Sequence, residues 1–408
     1  MRVRFVNQFF WPDEAATSQI LTDLARAADC DVEVVCGAAG YAAATGEPGL
    51  APKGVRVARV GTSRFGHGRL QKIASYAGFF GGAAWRMLTG PRVDLTVTMT
   101  TPPLLGLLGW AAQRWRGSRH FVWEMDVYPD VATALGTFRP GGVLDQAVGW
   151  LADVPRRRAD EVISLGPCMS ERLIRRGVRA ERIFAADNWA DGAAIQPLPF
   201  VSNGRLKVLY SGNAGLAHEF GTFQGAVERL AARDPLSGEQ FTFRFGGGGP
   251  RMRGLRQWAE GRFPHVEFGG YAPRSELGRV FGWCDVGLVT QIPETCGAVV
   301  PSKTYGLLAA GRPVLYVGPK AATPARIIEK YRVGWQVDPG AVDELAALLV
   351  WLQAHPEEVE EAGARARVVF EREYDLPIGV ARILDYLGIP VKAEVRAEAE
   401  RRRAERVG

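Results

Sequence analysis

Nowhere does this 408-residue chain run through the roughly 18–20 apolar residues that a membrane-spanning helix requires. The longest candidates, residues 73–88 and 104–112, are too short or broken by charge. Met1 leads straight into a strand-like run, RVRFV, without the pattern of a secretory leader. Cysteine is scarce: Cys30, Cys36, Cys168, Cys284 and Cys296 fall at no metal-ligand or redox spacing. Two of them lie in apolar strand-like runs, which reads as buried free thiols in a reducing compartment. There is no low-complexity block. The spaced-glycine dinucleotide fingerprint and the P-loop are both missing, and no nucleic-acid reader module is recognisable.

What the chain does have is a basic balance, with a net charge of +6 and clusters such as PRRRADE at 155–161. Such a balance favours anionic partners, among them nucleotide phosphates and acidic lipids. A solvated basic surface is the plainer alternative for any single cluster.

Short β-branched runs alternate with helix-like segments along the whole chain. Strands are predicted at residues 3–7, 31–36, 55–60, 94–100, 120–125 and 160–165, and again at 206–211, 241–246, 265–270, 285–290 and 313–318. That alternation predicts βαβ units with parallel sheets, and the strands are too many for one ordinary open sheet. QPLPFVSNG, residues 196–204, is rich in proline and small polar residues, and the strand series restarts after it. The reading is α/β, with two doubly wound domains. The closing VKAEVRAEAERRRAERVG is alternately charged with almost no apolar face, as in a solvated helix or a frayed tail.

In doubly wound sheets, ligands sit beyond the carboxyl ends of the strands. Two loops there are glycine-rich, LYSGNAGLAHEF after one predicted strand and FRFGGGGPR after the next. Glycine lets backbone N–H groups approach a phosphate closely. A third loop leads into PSKTYGLLAAGRPVL, where Ser302 suits an N-cap and Lys303 falls in the first helical turn. A cation is disfavoured at that end of a helix. It is accommodated if an anion lies between the lysine and the helix amides; otherwise Lys303 is a surface lysine.

These motifs, with NQFFWPDEAATSQILTDLA, MTTPPLLGLLG, MDVYPDVATALG and NWAD, resemble the GT-B-fold glycosyltransferases of family 4, in the bacterial exopolysaccharide, capsule and O-antigen branch. Order and spacing agree over roughly 370 residues. The resemblance implies two Rossmann-like domains with an interdomain cleft: an acceptor-binding domain over 1–197 and a nucleotide-sugar domain over 198–375. A helix over 376–390 would return to the first domain, and 391–408 would be a charged tail. Asn188 would lie near the crossover. The activity implied is transfer, with retention, from a nucleotide sugar, UDP-linked by preference, to a polyprenyl-diphosphate-linked acceptor. The implied location is the cytoplasm, peripheral at the inner face of the bacterial plasma membrane.

The chain departs from the family in several places. Members carry two glutamates separated by seven residues where this chain has Ala298 and Gly306, and the second usually binds the ribose. Glu294 and Glu329 are the nearby substitutes. The arginine and lysine of the first phosphate loop are replaced by Asn213 and His218, and the amino-domain histidine by Met125.

On this reading Lys303 and His218 stabilise the departing diphosphate, together with amides at Gly212, Gly247 and Gly248. Asn213, Tyr271, Glu294, Gly297 and Ser302 complete the donor side. Thr17, Ser18, Glu124 and Asp126 form the acceptor side, with Asp126 as the group that orients or deprotonates the acceptor hydroxyl. Each has a plainer alternative: a capping carboxylate for Asp126, a surface or capping histidine for His218, a packed aromatic for Tyr271. His218 is expected to titrate near neutral pH, tightening donor binding in mild acid. Neither cofactor nor metal is expected. The nearest approach to a metal-binding Asp-x-Asp pair is Glu124-Met125-Asp126, on the acceptor side. Residues 68–92 read as a buried helix or as an interfacial one touching anionic lipid. Two other functions remain open: an epimerase of UDP-N-acetylglucosamine on the same fold, and a scaffolding or regulatory subunit of a glycan assembly complex.

Overall fold

The structure is a computed structural model that describes residues 1–13, 15–38, 52–61, 69–234 and 237–404. The chain divides into two compact units. Unit 1 comprises Met1–Asn188, Gly297–Val299 and Pro377–Gly408; unit 2 comprises Trp189–Cys296 and Val300–Leu376.

Unit 1 is built on β1 (Arg2–Val6), α1 (Ala16–Ala27), β2 (Asp31–Cys36), β3 (Val55–Arg59), α2 (Arg69–Thr89), β4 (Leu95–Thr98), α3 (Gly106–Arg116), β5 (Arg119–Trp123), α4 (Asp130–Ala134), α5 (Val143–Arg158), β6 (Glu161–Ser164), α6 (Pro167–Arg175) and β7 (Ile183–Ala185). The seven strands pair in parallel in the order β3-β2-β1-β4-β5-β6-β7. Val3 sits between Val32 and Leu95, so β1 is central, and its residues Val3, Phe5 and Val6 are fully buried. β1, β2 and β4 are buried on both faces although they carry polar residues, and the buried Arg4 of β1 is paired with Glu33 of β2 at 2.5 Å. On α2, Phe79, Ala83 and Met87 recur every four residues and pack with Val6, Val35, Leu105 and Leu108. α2 is therefore a core helix, although its other side exposes Ile73 and Trp85.

Unit 2 contains β8 (Leu206–Asn213), α7 (Gly221–Arg233), α8 (Ser237–Gln240), β9 (Phe241–Gly248), α9 (Pro250–Ala259), β10 (Val266–Gly269), α10 (Leu277–Gly282), β11 (Val286–Thr290), α11 (Lys303–Ala309), β12 (Val314–Val317), α12 (Thr323–Tyr331), β13 (Gly334–Val337), α13 (Val342–Ala354) and α14 (Pro356–Val369). Its six strands are parallel in the order β10-β9-β8-β11-β12-β13. Phe223, Phe241, Phe243 and Phe245 form a buried aromatic core on one face of this sheet.

All eleven predicted strands are present within a residue or two of their expected ends. Two further strands, β7 and β13, escaped the sequence reading. Both are short edge strands without a β-branched run, and β13 begins on glycine.

α15 (Leu376–Leu387) and α16 (Ala393–Ala404) follow α14. Tyr386 on α15 stacks on Phe184 of β7 at 3.8 Å and donates to Glu161 Oε2 at 2.7 Å, so this helix closes the β7 end of the unit 1 sheet. The charged tail is helical rather than frayed, and Ala399 is buried against Ile378 and Ala381. All five cysteines are free thiols, with Cys36, Cys168 and Cys284 buried.

Candidate functional site

Each sheet reverses its strand order once, between β1 and β4 in unit 1 and between β8 and β11 in unit 2. Crevices outside the carboxyl ends of strands at such reversals are where doubly wound sheets bind ligands. Several of the predicted site residues lie near these two places.

In unit 2, β8 and β9 run in register to their last residues, pairing Gly212 with Gly247 and Asn213 with Gly248. Gly212 and Gly247 have φ of 128° and 112°, a region that side chains rarely adopt. A Cβ on Gly247 would stand 2.2 Å from the Gly212 carbonyl oxygen, and one on Gly212 would stand 2.8 Å from Lys303 Cε. The glycines thus let two strand ends and a lysine stem converge.

Lys303 is the first residue of α11, as expected. Ser302 occupies the N-cap position but its side chain makes no capping hydrogen bond, a correction to the sequence reading. Lys303 Nζ donates to the Asn213 carbonyl at 3.2 Å and to His218 Nε2 at 3.1 Å, and lies 5.1 Å from the centre of the Tyr210 ring. His218 Nδ1 lies 2.8 Å from the Thr290 carbonyl oxygen at the end of β11. A carbonyl can only accept, so Nδ1 carries the proton and Nε2 offers its lone pair to the lysine. Burial, then the adjacent Lys303, pushes the His218 pKa down to about 3. The expectation that His218 titrates near neutrality is overturned: it is a neutral acceptor that orients Lys303. Burial alone lowers the Lys303 pKa to about 8, because its partners are neutral dipoles and a ring face.

The remaining donor-side candidates are more dispersed. Tyr271 is 60% exposed, and its hydroxyl lies 3.5 Å from Asn213 Oδ1. A Cβ on Gly248 would meet the Tyr271 ring at 3.0 Å, so the tyrosine leans over the second glycine loop. Glu294 is exposed on the 3-10 turn Pro293–Thr295, and Glu329 is exposed on α12. Gly297 does not join these loops: it belongs to unit 1, where a Cβ would stand 2.3 Å from the Cys168 carbonyl oxygen. Ala298 beside it is fully buried. At Gly306 a Cβ would approach the Phe281 ring to 3.0 Å, which accounts physically for glycine where the resemblance expects glutamate.

In unit 1, Asp126 follows β5, and its N–H donates to Thr100 Oγ1 at 3.2 Å, as does that of Met125 at 3.3 Å. Burial, then the Glu124 carboxylate, raises the Asp126 pKa to about 6. The carboxyl lines a small cavity with Met99, Leu104, Tyr128 and Arg156. Glu124 itself is buried with both oxygens held by Arg156, at 2.7 and 2.9 Å. It is therefore an ion-pair partner rather than a free acceptor-side group. Thr17 is half-buried in the first turn of α1, whereas Ser18 is fully buried, with no partner for its hydroxyl among the described residues.

Sequence reasoning missed Tyr210, Thr290 and Arg251. Arg251 opens α9, donates its backbone N–H to the Ala214 carbonyl at 3.1 Å, and reaches the Leu216 carbonyl at 3.3 Å. The motif FGGGGPR contained it, but nothing in the motif distinguished it from a surface arginine. Among the described residues, no group of three or more His, Cys, Asp or Glu side chains is arranged to hold a metal.

Two parallel doubly wound sheets with ligand-friendly loops at their reversals define a GT-B glycosyltransferase fold. Residues 14–189 match the Glycosyl transferase 4-like domain. Over 272 residues the chain is 28% identical to "Probable glycosyltransferase WbjE" of Pseudomonas aeruginosa, covering 63% of this chain and 66% of that protein. Over 297 residues it is 25% identical to "Putative colanic acid biosynthesis glycosyl transferase WcaI" of Escherichia coli K12, covering 68% and 70%. Its structure is similar to that of Anabaena Alr3699/HepE, crystallised in complex with UDP and glucose, with a TM-score of 0.69 at 19% identity over 95% of this chain and 99% of that one.

Proposed function

We propose that this chain is a glycosyltransferase that takes a sugar from a UDP-linked donor and passes it, with retention, to a polyprenyl-diphosphate-linked acceptor in bacterial surface polysaccharide synthesis. The observation that carries the reading is Lys303, whose ammonium is aimed by His218 Nε2 and the Asn213 carbonyl over two converging glycine strand ends. A half-buried ammonium with neutral hydrogen-bond partners has electrostatic capacity to spare for an anion. The departing nucleoside diphosphate is such an anion, and stabilising it is where this chemistry needs the protein most. Arg251 adds a second cation at the mouth of the same loops. Tyr271 offers a ring face to the base. The printed names of the relatives, and the UDP bound to Anabaena HepE, point the same way. Asp126 accepts the proton of the acceptor hydroxyl.

Isothermal titration calorimetry with UDP and UDP-glucose tests the donor seat. Lys303→Ala is expected to weaken binding by about 1.5–3 kcal/mol, the range for a charge-assisted hydrogen bond. Unchanged affinity would remove Lys303 from the site and the reading with it.

A further inference from the structure

Unit 1 takes in three residues from far along the chain, and they land beside Asp126. The connection from β11 to α11 stays with unit 2 up to Cys296 and rejoins it at Val300, while Gly297–Val299 belongs to unit 1. β5 ends at Trp123 and α4 begins at Asp130, so the backbone of residues 124–129 lies between regular elements. Three successive N–H groups there are held by distant parts of the chain. Those of Met125 and Asp126 donate to Thr100 Oγ1, and that of Val127 donates to the Ala298 carbonyl at 2.8 Å. Val299 and Asp126 form an isolated antiparallel bridge.

The segment makes this contact with backbone rather than bulk. Gly297 brings no side chain and the fully buried Ala298 brings a methyl group, so the contact supplies geometry more than apolar burial. Gly297 is required twice, by conformation and by space. Its φ is 72°, and a Cβ would stand 2.3 Å from the Cys168 carbonyl oxygen and 3.5 Å from Arg172 Cβ. That floor is itself tied to the chain just after Asp126, because Arg172 Nη1 pairs with Asp130 Oδ1 at 2.8 Å. The Val127 N–H, the Ala298 carbonyl, the Gly297 seat and the Arg172–Asp130 pair thus close a ring around the Asp126 backbone.

We infer that Gly297–Val299 is a positioning segment that holds the Asp126 carboxyl where an acceptor hydroxyl meets it. The inference rests on the proposed reading, in which Asp126 accepts that hydroxyl's proton, and a proton acceptor displaced by about 1 Å loses much of its effect. The charged and titratable groups that face the carboxyl or share its cavity are Glu124, Arg156 and Tyr128. None belongs to the segment, so loosening it changes the hydration of the carboxyl and leaves its charged neighbours in place.

In the full-length protein, aspartate carboxyls labelled with carbon-13 are titrated by NMR, and the Asp126 signal is assigned by its loss in Asp126→Asn. The wild-type midpoint should lie at about 6. In Gly297→Ala, which lifts the segment off Cys168, it should fall toward the ordinary value of about 3.9 as water reaches the carboxyl. Val299→Gly adds no atom and only frees the backbone, so it should move the midpoint the same way even if Gly297→Ala does not fold. Hydrolysis of UDP-glucose, followed as UDP release, should show kcat lowered about tenfold or more in these variants with KM unchanged. A lower melting temperature with the midpoint still at about 6 would make the contact merely structural and overturn the inference. Asp126→Asn that hydrolyses UDP-glucose like wild type would instead remove the base from the proposed reading, and the segment's purpose with it.

Discussion

Lys303 is partly discharged in mild alkali, because burial brings its pKa down to about 8 while its partners carry no compensating charge. A bound diphosphate favours the charged form and raises that pKa. Linkage then fixes the sign. Donor affinity is full below about pH 8, falls through the interval between the free and bound pKa values, and levels off above it. Calorimetry from mildly acidic to alkaline pH should show this fall in the wild type and none in Lys303→Ala. His218→Ala should lower affinity at all pH values without adding or removing a step in mild acid, since the ring is already neutral there. Asp126 supplies the opposite limb. As a base it must be ionised, so the transfer rate should rise as pH passes about 6, and Asp126→Asn should lower kcat by about 10²–10⁴ while leaving UDP affinity intact. At this scale the sequence singled out candidate residues more readily than the contacts they make. Lys303, His218 and the glycines stood out by their place in motifs. Thr290 and Tyr210, which set the histidine's tautomer and bed the lysine, did not, because those contacts join residues far apart in the chain.

Among the elements, α11 shows how packing overrides a motif. Gly306 lies on its buried side against Phe281, which is 7% exposed at the end of α10. Gly306→Glu should not restore a ribose ligand. It overpacks the aromatic ring and buries a carboxylate, so a loss of about 3 kcal/mol or more is expected in urea unfolding. Phe281→Leu in the same chain should recover part of that loss, and the coupling in a double-mutant cycle measures the contact directly. If Gly306→Glu is as stable as wild type and binds UDP more tightly, the ring is not what excludes the side chain. Central strands were legible as buried β-branched runs. The edge strands β7 and β13 were not, because a short strand at a sheet margin needs no such run. Whether the second helix was core or interfacial was also beyond periodicity alone: Phe79, Ala83 and Met87 face the sheet, and Trp85 does not.

For the whole molecule, the alternation of strands and helices and the restart after residue 204 were enough to anticipate two parallel sheets. The composition of unit 1 from three separated pieces of chain was not, since it depends on which surface Gly297–Val299 and α15 settle on. One prediction belongs to the transfer reaction as a whole. If Lys303, Arg251 and the loop amides neutralise the diphosphate, excess EDTA should leave the rate of sugar transfer unchanged. Loss of transfer that manganese restores would show that a metal carries the charge instead.

The stacking of Tyr386 on Phe184 has a consequence for biosynthesis. The ribosome finishes β7 long before it reaches α15, and nearly all of unit 2 is made in between. At about 5–20 residues per second that interval lasts on the order of ten to forty seconds. Throughout it the nascent first sheet has its margin at β7 open to other strands. The part of the protein that is translated first is thus the last to be sealed, and its yield in a cell depends on what shields that margin while the rest of the message is read.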